Sequence, residues 1–272
     1  MTTLIQKLRE ERPLIHCITN IVVANFQANG LLALGASPVM ADAIEEAAEI
    51  AAVSSCTVLN TGTLKKDTVT SMLLAGKSAN QQGIPVVLDP VGAGATAFRK
   101  EAVLRILKEV NVTLIRCNAG ELAAIAGVDW RFKGVDAGEG EADITAIAEE
   151  VAHTHNCVVA VTGPWDIVAD QHGTSCVTGG HPLMSHLTGA GCLLSAVAGA
   201  FLAVAEEDPF NAVTTALAFY KKAGEKAAEH ASGPGDFKIH FLNALYALEE
   251  DVIQDRQFIR QPQGNDKGMT LS

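Results

Sequence analysis

The chain has 272 residues, 48% of them hydrophobic and 19% charged, with a formal net charge of −11. Such a composition builds a large core and excludes a mostly disordered chain. The acidic balance argues against a nucleic-acid partner, which needs basic patches, but not against an anionic small molecule held by backbone amides and one or two cations.

In chain order, the N-terminal MTTLIQKLREERP is charged and lacks the apolar core of a signal peptide. Apolar periodicity predicts helices near 20–34 and 42–53, with a short strand SPVM (37–40) between them. Then come strand CTVLN (56–60), helix 66–82, strand IPVVLD (84–89), helix 97–110, strand VTLIR (112–116), helices 118–126 and 143–155, and strand CVVAVTG (157–163). This alternation implies right-handed crossovers and an α/β fold, a mostly parallel central sheet with helices on both faces. After residue 163 the pattern changes. DIVADQHGTSCVTGG reads as a hairpin turning at Asp170–Gly173, with strands at 166–170 and 175–180. Helices at 189–204, 209–232 and 238–250 follow. The tail after about 250 is polar and aperiodic, which predicts mobility. No linker is visible, so residues 1–272 read as a single domain. No apolar stretch reaches the roughly 20 residues of a membrane span without Gly or polar breaks. The six cysteines, at 17, 56, 117, 157, 176 and 192, form no CxxC pair and no zinc-spaced cluster. Most lie in apolar runs and read as buried, reduced thiols. A cytoplasmic protein without membrane attachment is the expectation.

In parallel sheets, ligands bind beyond the carboxyl ends of the strands. Four predicted strands end there in LNTGT, LDPVGAGAT, IRCNAGE and VTGPWD. Asp89 closes a very apolar strand, and Glu121 stands one turn into a helix that Asn118 could cap. Each has a structural role open to it, a turn for Asp89 and a capping box for Glu121. Together they supply hard oxygen donors for Mg²⁺, partly through water. Arg116 and Thr162, at neighbouring strand ends, supply a phosphate fork and a hydroxyl donor. Two glycine patterns are weaker. AGKS (75–78) lacks the leading glycine of a phosphate loop and lies in a helical pattern. GAGATA (92–97) follows a strand as a dinucleotide loop would, but the next strand ends in Arg116 instead of an acid, which leaves only an NADP-type site open.

HLTGAGCLLSAVAGAF (186–201) carries the sharpest local signal. Gly189 and Gly191 let the N–H groups of 189–192, Ala190 among them, converge. The helix behind them would place about half a positive charge at that nest. A structural glycine turn is the alternative. Cys192 lies in the first turn, where a thiol pKa would be pulled down from its free value of about 8.5. It reads as a nucleophile, a weak base or a small space-filler. No hydrolase elbow or triad accompanies it, and His186 would sit on a strand leading in. Asn20 reads as a helix cap or a ligand donor. Met40 reads as a core residue or an apolar wall for a small aromatic ring.

HCITNIVVANFQANGLLALGASPVMA, GKSAN…GIPVVLDPVGAGAT, NAGE, KGVDAGEG and TGAGCLLSAVAGAF together resemble the hydroxyethylthiazole kinase family of ribokinase-like vitamin kinases. The resemblance runs from about His16 to about residue 250. It implies a three-layer ribokinase-like fold and ATP-dependent phosphorylation of 4-methyl-5-(2-hydroxyethyl)thiazole in thiamine salvage, with Mg²⁺. It also implies a homotrimer with active sites between subunits. By position, Met40, Gly189 and Asn20 would meet the thiazole alcohol, Arg116, Thr162 and Asn118 the ATP, and Asp89 and Glu121 the metal. Cys192 stands where most ribokinase-like enzymes carry an aspartate base, a departure typical of the thiazole kinases. In a loose phosphoryl-transfer transition state little proton transfer is needed early, so Cys192 places the hydroxyl and is no indispensable base. Rival readings are a hydroxymethylpyrimidine or pyridoxal kinase, a non-catalytic nucleotide sensor and an NADP-dependent oxidoreductase.

Overall fold

The computed structural model describes residues 3–128, 144–205, 207–249 and 261–262. Ten helices and nine strands alternate among them: α1 Leu4–Glu11, β1 Leu14–Ile18, α2 Ala24–Leu34, β2 Ser37–Val39, α3 Ala47–Val53, β3 Cys56–Asn60, α4 Lys66–Gln81, β4 Val86–Asp89, α5 Ala97–Glu109, β5 Leu114–Asn118, α6 Ala119–Ala126, α7 Ile144–His155 and β6 Val158–Thr162. Then come β7 Asp166–Asp170, β8 Gly173–Val177, a 3₁₀ turn Pro182–His186, α8 Ala190–Val204, α9 Pro209–Ala228, α10 Pro234–Ala247 and β9 Gln261–Pro262.

The strands form one sheet in the order β2-β1-β3-β4-β5-β6-β7-β8-β9. The six strands from β2 to β6 are parallel, and β7, β8 and β9 are antiparallel. Helices cover both faces, giving the three-layer α/β/α architecture. The strand residues alternate between two cores, as a side-chain period of two requires. Cys56, Val58, Val87, Leu114, Val158 and Ala160 meet α1, α2, α8, α9 and α10. Leu59, Val86, Leu88, Ile115, Val159 and Val161 meet α3 to α7. α8 is apolar on every side and packs against β1, β3 and β4 while α2 and α9 cover it, so its axis is fixed against the sheet. None of the helices among the described residues is long and apolar enough to cross a membrane.

Four expectations shift. LIHCI forms β1, the strand between β2 and β3, where no strand was predicted. His186 lies in the 3₁₀ turn and not on a strand. In the tail, Gln261 and Pro262 pair with Thr174 and Gly173, while the remaining tail residues and KGVDAGEG lie outside the described residues. The hairpin turn is as read, since Asp170 pairs with Gly173 and its Oδ1 accepts the N–H groups of His172 and Gly173, but its second strand runs Gly173–Val177 and not 175–180.

Candidate active site

The alternation that builds the two cores also builds the site. Counting on from Val58, Val87, Leu114 and Ala160, the residues Asn60, Asp89, Arg116 and Thr162 fall on the α8 face at the carboxyl ends of their strands. The chain order reverses between β1 and β3, so a crevice opens beside these residues.

Asp89 is the hub. It is fully buried. Its Oδ2 accepts from Asn60 Nδ2 (2.6 Å) and Ser195 Oγ (2.9 Å), and its Oδ1 from Arg116 Nη1 (3.3 Å). Arg116 Nη2 donates to Thr162 Oγ1 at 3.3 Å, and the Thr162 hydroxyl donates in turn to the Cys117 carbonyl at 3.3 Å. Burial works to depress the Arg116 pKa, but Asp89 and Glu121 outweigh it and hold the guanidinium protonated. Among the described residues its buried Nε–H has no partner, so they satisfy the guanidinium only in part.

At the start of α8, Gly189 takes φ +90°, and a Cβ there would lie 2.6 Å from Val23 Cγ1. Gly189→Ala is therefore expected to cost about 1–3 kcal/mol through backbone strain and the collision with α2, read by denaturant unfolding. At Gly191 a Cβ would fall inside contact distance of Arg116 Nη2 and 3.2 Å from Cζ and Nη1, so the guanidinium rests directly on the first turn of α8. The nest is smaller than the sequence suggested. The Ala190 N–H is already bonded to the Leu187 carbonyl (3.1 Å), which leaves Gly191 and Cys192 as the amides of that turn with no backbone partner among the described residues. The Ala190 carbonyl accepts from the buried Tyr220 hydroxyl (2.6 Å), which fixes the turn from the far side.

Cys192 is half-buried, and its Sγ accepts from Asn20 Nδ2 at 3.4 Å. The expected downward pull on the thiol does not prevail. Burial and the neighbouring Asp89 charge raise its pKa, so the sulfur is a neutral thiol at ordinary pH. Asn20 also donates to Asn60 Oδ1 (2.9 Å) and accepts the Val23 N–H, so it caps the approach to α2 and bridges Cys192 to the Asp89 hub.

Glu121 and Asn118 form the capping box: Asn118 Oδ1 accepts the Glu121 N–H (2.9 Å), and Glu121 Oε2 accepts the Asn118 N–H (3.0 Å). Glu121 Oε1 accepts the Gly92 N–H (2.9 Å), which ties the GAGAT loop to α6. Burial raises the Glu121 pKa against these bonds. The fit to a divalent cation follows from the donors. Asp89 reaches no solvent and has its carboxylate engaged, so it contributes charge. Glu121 keeps a lone pair on each oxygen and 9% exposure, which suits a water-mediated hold on Mg²⁺. Among the described residues no cluster of three or more His, Cys, Asp or Glu side chains forms a ready metal cage.

Two cavities flank this corner. One of about 660 Å³ is lined by Arg116, Thr162, Gly191, Tyr220, Asp166 and Lys221. The other, of about 330 Å³, lies towards β1 and is lined by Thr19, Asn60, Thr63 and Asp42. A larger one, about 940 Å³, opens at the amino ends of the strands around Pro85, Val112 and His172, away from every predicted residue. Met40 lines neither flanking cavity. It follows β2 and packs, partly buried, on the α8-side core. Next to it, buried His16 donates through Nε2 to the Ala41 carbonyl (2.7 Å) and fixes the chain leaving β2.

The site thus gathers Asn20, Asp89, Arg116, Thr162, Gly191 and Cys192, with Glu121 and Asn118 beside them. Sequence reading missed Asn60 and Ser195. Ser195 could have been found by its position one turn beyond Gly191, and Asn60 by its place as the last residue of a strand next to β4. Arg99 was also missed: it donates to the carbonyls of Thr61, Val91 (2.8 Å) and Gly62 (2.6 Å), tying together the loops after β3 and β4.

Comparison with known proteins gives the family. The model of the hydroxyethylthiazole kinase family matches residues 5–251. A protein from Exiguobacterium described as hydroxyethylthiazole kinase is 56% identical over 247 residues, covering 91% of this chain and 94% of that one. A solved structure of a hydroxyethylthiazole kinase protein from Pyrococcus horikoshii superposes with a TM-score of 0.84 at 42% identity, covering 93% of this chain and 95% of that one. A ribokinase-like superfamily protein from Enterococcus faecalis shares the fold alone, with a TM-score of 0.63 at 11% identity over 89% of this chain and 86% of that one. A kinase follows from the matched relatives and the fold together: the chain belongs to the hydroxyethylthiazole kinase family.

Proposed function

We propose that the protein transfers the γ-phosphoryl group of ATP to the hydroxyl of 4-methyl-5-(2-hydroxyethyl)thiazole, a step of thiamine salvage in the cytoplasm. The observation that carries the reading is Arg116. It is a buried guanidinium with an Nε–H unpartnered among the described residues, resting on Gly191 at the amino end of α8. A permanent cation, two backbone amides and a helix terminus thus meet at one corner, an arrangement that can stabilise charge on a migrating phosphoryl group.

In this reading the nucleotide occupies the 660 Å³ cavity and the alcohol approaches from the Asn20 and Cys192 side. The alcohol oxygen bonds to phosphorus as the bond to the leaving diphosphate breaks, and the hydroxyl proton leaves late, to an oxygen of the transferred phosphoryl group and then to water. Arg116 and the Gly191 and Cys192 amides hold the phosphoryl oxygens. Thr162 and Asp89 keep Arg116 in place. Glu121, with the Asp89 charge behind it, would hold Mg²⁺, which supplies charge neutralisation on the phosphates. Asn118 stands beside the nucleotide as the cap that orients Glu121. Met40 and Gly189 border the thiazole. Because Met40 lines neither cavity of a single chain, its role belongs to a site completed by a neighbouring copy in a homotrimer. Ile21 and Val22, 78% and 67% exposed beside Asn20, supply apolar surface for that neighbour.

The neutral thiol leaves Cys192 as an acceptor that positions the hydroxyl. Cys192→Ala is expected to lower kcat by less than about tenfold, whereas loss of a true general base costs about 10²–10⁴. A raised thiol pKa means that its proton leaves only at higher pH. The pH–rate profiles of wild type and Cys192→Ala should therefore overlay between about pH 6 and 9.

The deciding experiment supplies the purified protein with ATP and Mg²⁺ and, in turn, the thiazole alcohol, hydroxymethylpyrimidine and pyridoxal. ADP release should be fastest with the thiazole. A faster pyrimidine reaction, or ATP binding without turnover on any alcohol, would overturn the assignment.

A further inference from the structure

The 660 Å³ cavity also holds a pair that no sequence motif marked. Lys221 on α9 and Asp166 at the head of β7 form an ion pair at 3.1 Å, their side chains only 8% and 4% exposed. Asp166 Oδ1 also accepts the Gly163 N–H (3.1 Å), and Lys221 Nζ reaches the Gly179 carbonyl (3.5 Å). One turn along α9, Glu225 accepts the Gly180 N–H (3.1 Å). The two loops that wall the cavity are thereby fastened to one helix.

Burying such a pair adds little to stability, because desolvation offsets the attraction, and apolar residues of the same volume would serve the fold as well. Burial indeed pushes the Asp166 carboxyl up, against the pull of Lys221. An ammonium has three donors, and Asp166 and Gly179 engage two of them. Arg116 also acts on Asp166 electrostatically, so both cations serve the same cavity. Two cations lining one cavity suit an extended polyanion better than a single phosphate. We propose that Lys221, oriented by Asp166, binds the non-transferred phosphates of a nucleoside triphosphate while Arg116 holds the phosphoryl group being moved. This rests on the ATP-dependent kinase reading above.

The test compares wild type with Lys221→Met, Lys221→Gln and Lys221→Arg, and with Lys226→Met, which removes the same charge from an exposed position of the same helix. Steady-state kinetics give KM for ATP and kcat, and calorimetry gives the affinities for ATP, ADP and adenosine. Lys221→Met is expected to raise KM for ATP about tenfold or more, a larger change than in kcat. It should weaken ATP and ADP binding and leave adenosine binding unchanged. Lys221→Arg should recover part of the loss, and Lys226→Met should match wild type. An unchanged KM for ATP, or adenosine weakened as much as ATP, would overturn the proposal. If Lys221→Met does not fold, the same comparison is read on Lys221→Gln. Wild type that binds ATP while the Lys221 variants bind it equally well defeats this inference alone, whereas wild type that binds no nucleotide defeats the kinase reading with it.

Discussion

Gly191→Val will lower kcat/KM by about two to three orders of magnitude while the chain stays folded, as measured by steady-state kinetics beside a thermal melt. Gly191 is the second residue of α8 and its backbone is not in the left-handed region, so a side chain there adds no backbone strain. The whole effect comes from space. A Cβ falls on the guanidinium of Arg116, which Asp89, Thr162 and burial hold from the other sides. Either Arg116 swings away or the first turn of α8 lifts, and in both cases the cation and the two amides no longer meet at one corner. Gly191→Ala presents the same Cβ and should act in the same direction. Activity within threefold of wild type for Gly191→Val would show that phosphoryl transfer does not use this corner.

Asp89→Ala is the largest expected effect on stability, a loss of about 3–5 kcal/mol in urea unfolding, with activity abolished. The substitution leaves Arg116 charged and buried without its counter-ion. It also strips Asn60 Nδ2 and Ser195 Oγ of their acceptor. Few single changes take the carboxylate away from one cation and two neutral donors at once; among the described residues Arg116 keeps only Thr162, and Ser195 only the long contact to the Gly191 carbonyl (3.5 Å). Asp89→Asn keeps one acceptor oxygen and should lose less. An unfolding free energy within about 1 kcal/mol of wild type would mean that water reaches Arg116 and takes over the role of the carboxylate.

The parts of the site that were legible in the sequence are those set by strand ends and glycines. Asp89, Arg116 and Thr162 stand at the ends of apolar runs whose period of two carries them to one face, and Gly189 and Gly191 stand at the start of a largely apolar helix. What stayed hidden depends on pairings between distant segments. LIHCI is five residues long and buried on both faces, with a histidine at its centre, so it shows neither alternation nor helical period. Without β1 the reversal of chain order beside β3 could not be placed, and Asn60 stayed an ordinary strand residue. The Ala190 amide looked free because its partner, the Leu187 carbonyl, caps a 3₁₀ turn where the sequence suggested that His186 lies on a strand. The thiol shift was misjudged for a related reason. Helix position is visible in sequence, but the burial of Cys192 and the closeness of Asp89 are not.

At the outer margin of the parallel strands, β2 is only three residues long and Pro38 at its centre has no N–H to donate. A foreign β-segment would find almost no ladder to extend there. Growth of a sheet from that margin is therefore blocked, and crowding should not drive copies of this chain into fibrils by pairing there.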